Sequence, residues 1–130
     1  MVMVAVAVVV ASVLAFVASS VYYAVTAPIE SRILGDRALD RGRPAPWKVA
    51  AELLRTAVVA GVFAGIAERA DLLSLPGCLL LALVLWVGFP AVLLTGSVTW
   101  EKVPPVTAAM HAGDWLLKLL LIGAVVGALQ

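Results

Sequence analysis

Four long runs of apolar residues, separated by short polar connections, account for most of the chain. The runs cover residues 2–24, 47–67, 75–98 and 107–129. Each approaches or exceeds the roughly 20 residues that an α-helix needs to cross the hydrocarbon core of a bilayer. The pattern predicts an all-α integral membrane four-helix bundle, in which residues 1–130 form a single transmembrane domain.

The composition points the same way. Hydrophobic residues make up 64% of the 130-residue chain and charged residues 13%, with a mean hydropathy of +1.12. A soluble domain of this length has no interior large enough for so much apolar surface, so we expect a lipid bilayer around it. The net charge of +1 argues against a nucleic-acid partner. Cys78 is the only cysteine, so no intrachain disulfide can form.

The first apolar run is interpreted as a retained helix rather than a signal peptide. It lacks a positively charged start and is longer than the apolar core of such a peptide, usually about 7–15 residues. Pro28 is expected to end this span, because proline has no backbone N–H to continue the helical hydrogen bonds. The connection at residues 27–46 is then either a solvated loop on the headgroups or a short surface helix lined by Ile29, Ile33 and Leu34.

Basic residues are unevenly distributed among the three connections. The second connection holds only Arg69, beside Glu68 and Asp71. The basic residues in or beside the first and third connections are Arg32, Arg37, Arg41, Arg43, Lys48 and Lys102. Because basic loops favour the cytoplasmic side, we expect residues 27–46 in the cytoplasm and both termini outside.

Five ionisable residues interrupt the second and fourth apolar runs, and we call them the polar cluster: Glu52, Arg55, His111, Asp114 and Lys118. The last three are spaced i, i+3 and i+7, which places them on one face of a helix. A charge near the middle of a membrane helix costs roughly 2.5–3.5 kcal/mol, so it is kept where another group compensates it. Two arrangements are open: pairs along each helix, or pairs of Glu52 with Lys118 and Arg55 with Asp114 between helices.

The polar cluster supports two interpretations. In the first, its ion pairs fix the register of a non-enzymatic assembly protein. In the second, it lines a cavity open to the cytoplasm in a small transporter or channel-like protein, and binds or relays an ion, a proton or a small solute. His111 suits a proton path because histidine titrates near neutral pH. No metal-spaced His or Cys set, phosphate loop or nucleophile motif is present, so the sequence predicts no enzyme, metal or cofactor.

Small residues recur in the second and fourth helices. Ala57, Gly61 and Gly65 form one stripe, and Gly123 and Gly127 fall on the two glycines when the helices are aligned by their acidic residues. The match favours two repeated hairpins related by an axis along the membrane normal, the alternative being chance agreement in a simple alphabet. Small residues let helix backbones approach closely in lipid, so we expect a homo-oligomer or a partner membrane protein.

The third helix contains Pro90 near its middle. This residue cannot donate to the carbonyl of Trp86, and a kink is therefore predicted there. A structural bend and a gating hinge are both open readings of that kink. The third connection is short and contains Pro104 and Pro105, which predicts antiparallel packing of the third and fourth helices.

Several short segments in the second half resemble the domain of unknown function 1761 family. They are Leu85-Trp86-Val87-Gly88-Phe89, Thr95, Trp100-Glu101, His111 through Leu117, and Gly123-Ala124-Val125. The resemblance implies a small bacterial four-span protein of the cytoplasmic membrane, and it assigns neither an activity nor site residues. Residues 32–43 depart from the family's pattern, and Asp114 and Lys118 look like one variant of its last-helix motif.

Overall fold

A computed structural model describes residues 2–38 and 45–130, which form helices joined by short connections and contain no β-strand. The helices are α1 (Val2–Leu34), α2 (Pro46–Arg69), α3 (Leu75–Trp86), α4 (Val92–Trp100) and α5 (Pro105–Ala128). A 3-10 turn, Gly35–Arg37, follows α1, and a π-helical segment, Val87–Ala91, joins α3 to α4 as one span. All four spans are long and apolar enough to cross a membrane, which confirms the predicted all-α architecture.

The first helix is longer than predicted. Pro28 lies inside α1, which continues to Leu34, so the prediction that this proline ends the span is wrong. A proline inside a helix costs about 3 kcal/mol, but the turns beyond it gain tertiary contacts. Glu30 and Leu34 are buried, and the Glu30 carboxylate accepts a hydrogen bond from Thr107 at the start of α5. The predicted loop is therefore helical up to Arg37, while its residues 39–44 lie outside the described part of the chain.

Helix α5 lies at the centre of the packing. It packs along both α1 and α3, whereas α2 packs chiefly along α1 and makes few contacts with α3. Small residues allow the approach of α1, because Ala7, Ala11 and Ala15 are fully buried at four-residue intervals. Apolar residues of α1 also form an exposed outer surface, on which Val9 and Val25 are more than 60% exposed. Such a surface is stable against lipid and costly in water.

The glycines of the two predicted packing stripes occupy different environments. A Cβ atom on Gly123 would lie 2.8 Å from the Cys78 carbonyl oxygen, and one on Gly127 would lie 2.7 Å from the Leu75 Cα. The lack of a side chain at both glycines therefore allows α5 to pack closely against α3. A Cβ atom on Gly61 or Gly65 would meet nothing within 4 Å. The structure gives α2 and α5 unequal positions, so the predicted equivalence of these helices is not reflected in their packing.

The third span departs from a regular α-helix around Pro90, where the sequence predicts a kink. Residues Val87–Ala91 form a π-helical segment between α3 and α4. Proline removes one backbone donor, and a single π turn is a common way to accommodate such an interruption within a helix. The segment divides the span into the half that packs on α5 near Cys78 and the half that leads to Trp100.

Candidate functional site

All five residues of the polar cluster line one cavity of about 300 Å³. Helix α2 contributes Glu52 and Arg55, and α5 contributes His111, Asp114 and Lys118. The helical spacing of the last three directs them to the same side of α5, as predicted. Helix α1 closes the cavity with polar side chains that the sequence reading had not assigned to it: Ser19, Ser20 and Tyr23.

Lys118 connects the two acidic residues of the cluster. Its Nζ lies 3.2 Å from Glu52 Oε1 and 3.4 Å from Asp114 Oδ2. The other Glu52 oxygen accepts a hydrogen bond from Arg55 Nη1 at 2.6 Å. Both pairs along a helix therefore form, together with one of the two pairs considered between helices. The Lys118 and Asp114 side chains are only 8% and 4% exposed, so each is buried next to a group of opposite formal charge.

Helix α1 supplies polar partners to α5. Ser19 Oγ donates to Asp114 Oδ1 at 2.6 Å, and Tyr22 Oη donates to the Met110 carbonyl at 2.8 Å. Tyr23 Oη and His111 Nδ1 share a hydrogen bond of 2.6 Å. These partners on α1 were not identified from the sequence. Their signal was the i, i+3 and i+4 spacing of Ser19, Tyr22 and Tyr23, which puts them on one helix face.

Two tryptophans complete the surroundings of the cluster. Lys118 Nζ lies 5.1 Å from the centroid of the Trp115 ring, within the range of a cation–π interaction. Trp86 Nε1 donates to the Ala112 carbonyl at 2.8 Å and so joins α3 to the same part of α5. Throughout residues 2–38 and 45–130, each buried side-chain nitrogen or oxygen has a hydrogen-bond partner. The same ranges hold no group of three acidic, histidine or cysteine side chains able to bind a metal ion.

A family model described as a protein of unknown function (DUF1761) matches residues 6–127, nearly the whole chain. The chain belongs to this family. Neither a curated protein nor a solved structure matches it. The resemblance found in the sequence is thereby confirmed, and a membrane protein with four spans is consistent with it.

In this DUF1761 chain the cavity lined by the polar cluster, which we call the polar cavity, adjoins two other cavities along α2. A cavity of about 350 Å³ shares Glu52, Arg55, Thr56, Trp115 and Lys118 with it. A third cavity, of about 480 Å³, adjoins the 350 Å³ cavity. The residues that line both of these cavities are all apolar: Val58, Val59 and Trp115. The third cavity is bounded by α2, α5 and the third span, and we call it the apolar groove. The three spaces thus run from an ionic end to an apolar end.

Proposed function

We propose that the protein is a small, non-enzymatic transport protein of a bacterial cytoplasmic membrane, whose polar cavity takes up a proton or a small polar solute. One observation carries the proposal: a cavity of about 300 Å³ at the level of the spans is lined by the whole polar cluster. Ionisable side chains at such depth commonly face water-filled cavities and mark ion or proton pathways. A cluster that served only to fix helix register would be expected to be closely packed.

The arrangement of side chains supports a stepwise path for a proton. His111 hydrogen-bonds to Tyr23 at one side of the cavity, and Asp114 lies one turn further along α5. Histidine exchanges protons readily near neutral pH. Asp114 is held by Ser19 and Lys118, so a proton arriving there would weaken its attraction to the lysine. Protonation of Asp114 and its ion pair with Lys118 are in this way coupled.

Proteoliposomes with an entrapped pH-sensitive dye test this proposal. An imposed pH gradient should dissipate faster with the wild-type chain than in empty liposomes, and Asp114→Asn should remove the difference. Glu101→Gln is the matched control, since it removes an exposed carboxylate in the third connection, away from the cavity. Equal rates for the wild-type chain and Asp114→Asn would contradict a proton path through Asp114.

An assembly role is the second candidate, and it is favoured by the open space at Gly61 and Gly65. These glycines lie on a face of α2 that makes no close contact within the described chain, and a GxxxG stripe is suited to close helix–helix contact in lipid. The occupant we expect is a second copy of the chain or a partner membrane protein. The polar cluster would then be structural, and the double variant Asp114→Asn with Lys118→Leu would retain function.

Self-association can be measured by energy transfer between labelled chains in liposomes. Gly61→Leu should abolish the concentration-dependent signal under this second hypothesis. Gly96→Leu is the control, because Gly96 is also a helical glycine with open space around its Cβ position. Gly123→Leu is unsuitable, since Gly123 is buried against α3 and a leucine there would disturb the fold itself.

A further inference from the structure

The two halves of the third span differ in how firmly they are held. In α3, Cys78, Leu81 and Ala82 are buried. Trp86, at the end of α3, donates through Nε1 to the Ala112 carbonyl of α5 at 2.8 Å. Helix α4, all of which belongs to the described part of the chain, contains no buried residue. The span is therefore fixed to α5 on one side of the π-helical segment and loosely held on the other side.

The hydroxyl groups of α4 do not attach it to a neighbouring helix. Those of Thr95, Ser97 and Thr99 each donate to a carbonyl four positions earlier in the same span. Hydrogen bonds of this kind often accompany a bend in a helix. In lipid, apolar side chains gain no hydrophobic free energy by packing on another helix. A displacement of α4 therefore breaks none of these hydrogen bonds and has a low cost in free energy.

Open space lies on two sides of α4. On the side of α2 is the apolar groove, of about 480 Å³, to which α4 contributes Leu93 and Leu94. Helices α2 and α4 do not pack against each other across it. On the side of α5 is another cavity, of about 270 Å³, between α4 and three alanines near the start of α5, namely Ala108, Ala109 and Ala112. The bundle thus leaves room for α4 to move in either direction.

We propose that Val87–Ala91 is a hinge about which α4 moves toward α2 to close the apolar groove and moves back to open it. Pro90 lies within the segment and lacks a backbone donor, so fewer hydrogen bonds resist bending there. Segments of π-helix are also frequent at functional sites. The inference goes beyond the proposed transport function and does not depend on it. Because Trp115 lines both the apolar groove and the polar cavity, the movement changes the surroundings of a residue that the two share.

The dimensions of α4 set the size of the movement. Thr99 lies about 11 Å beyond the hinge by the helical rise. A change in bend of about 20°, comparable to an ordinary helix kink, would displace Thr99 by about 4 Å. The connection from Trp100 to Pro105 joins the far end of α4 to α5 and is short, so a movement of this order is the one we expect.

Electron–electron double resonance between spin labels in liposomes tests the hinge without any gradient or flux. One label is placed at Leu54→Cys on α2 and the other at Thr99→Cys on α4, both exposed positions. The reference pair is Leu54→Cys with Leu80→Cys, since Leu80 is exposed on the firmly held half of the same span. The unlabelled background is the wild-type chain, whose Cys78 is buried. We expect the Thr99 pair to give a distance distribution broader than the reference by about 4 Å, or split by that amount. Equal widths would overturn the proposal.

Two variants show whether the spread comes from the hinge. Pro90→Ala restores the backbone donor and should narrow the distribution of the Leu54–Thr99 pair to the width of the reference. Val62→Trp fills the apolar groove and should remove the shorter distances, because α4 can then no longer approach α2. Val17→Trp is the matched control, since Val17 is similarly exposed but lies on α1, and it should leave the distribution unchanged. A broad distribution that neither test variant alters, at unchanged helical circular dichroism, would show that α4 does not move about this segment.

Discussion

The Lys118 ammonium group lies 3.2 Å from the Glu52 carboxylate, and this ion pair joins α5 to α2 inside the membrane domain. The two helices otherwise make few contacts with each other. The pair therefore has two consequences. It fixes the position of α2 beside the central helix, and it keeps Glu52 oriented so that its second oxygen can hold Arg55.

Replacing Lys118 by leucine should destabilise the fold strongly. The substitution leaves Asp114, whose side chain is 4% exposed, without its cation. Breaking a buried pair by removing one partner typically costs about 3–5 kcal/mol. We expect a loss of that size in the free energy of unfolding, measured by circular dichroism during titration with SDS in mixed micelles.

Two comparisons distinguish charge compensation from loss of packing. Adding Asp114→Asn to Lys118→Leu should recover most of the lost stability, because no uncompensated buried carboxylate remains. Arg55→Gln should cost less than about 1 kcal/mol, since an exposed pair contributes little. If the double variant is no more stable than Lys118→Leu alone, the packing of the lysine stem rather than its charge is what matters.

The glycines of α5 and α2 should respond oppositely to alanine. A Cβ atom at Gly123 would approach the backbone of α3 at Cys78, and backbone cannot move aside as a flexible side chain can. We expect Gly123→Ala to lose about 1–3 kcal/mol. Gly61→Ala should be neutral or stabilising by up to about 1 kcal/mol, because the position is open and alanine favours helix. The same SDS titration measures both, and similar losses would contradict the difference in packing.

The part of the fold that follows from composition and length was predictable from the sequence. The four spans are visible as apolar runs because a bilayer of fixed thickness demands them. The polar cluster was also visible, because charges inside such runs are costly and must be compensated. Helical spacing alone brought His111, Asp114 and Lys118 to one face, and compensation suggested the pair between Glu52 and Lys118 that the structure contains.

The features that sequence reasoning missed depend on contacts between distant residues. The helix continues through Pro28 because Glu30 finds Thr107, which is 77 positions away in the chain. Nothing local reveals that partner. Similarly, Gly61 and Gly123 have similar neighbours in the sequence, yet only Gly123 faces another helix of the described chain. Because the local composition is similar in α2 and α5, the sequence does not indicate which of their glycine stripes packs against another helix. The arrangement of the bundle decides this.

The contact that extends α1 can be tested at Thr107. Its hydroxyl donates to the buried Glu30 carboxylate at 2.7 Å. Thr107→Val keeps the side-chain shape and removes the donor, so we expect a loss of about 1–3 kcal/mol in the free energy of unfolding. Thr99→Val is the matched control, because the Thr99 hydroxyl is exposed and bonds only within its own helix, to the Thr95 carbonyl. Equal effects of the two substitutions would show that the Glu30 contact is not stabilising.

The orientation of the chain in the membrane can be measured directly. Basic residues in the first and third connections favour the cytoplasm, so both termini and the second connection should lie outside. Single cysteines at Gln130, Ala70 and Glu101 report on this, since all three positions are exposed, and the native Cys78 is buried and provides the unlabelled control. In intact bacterial cells, a membrane-impermeant maleimide should label Gln130→Cys and Ala70→Cys but not Glu101→Cys, which should react only after permeabilisation. The reverse pattern would invert the topology and place the polar cavity on the outer side.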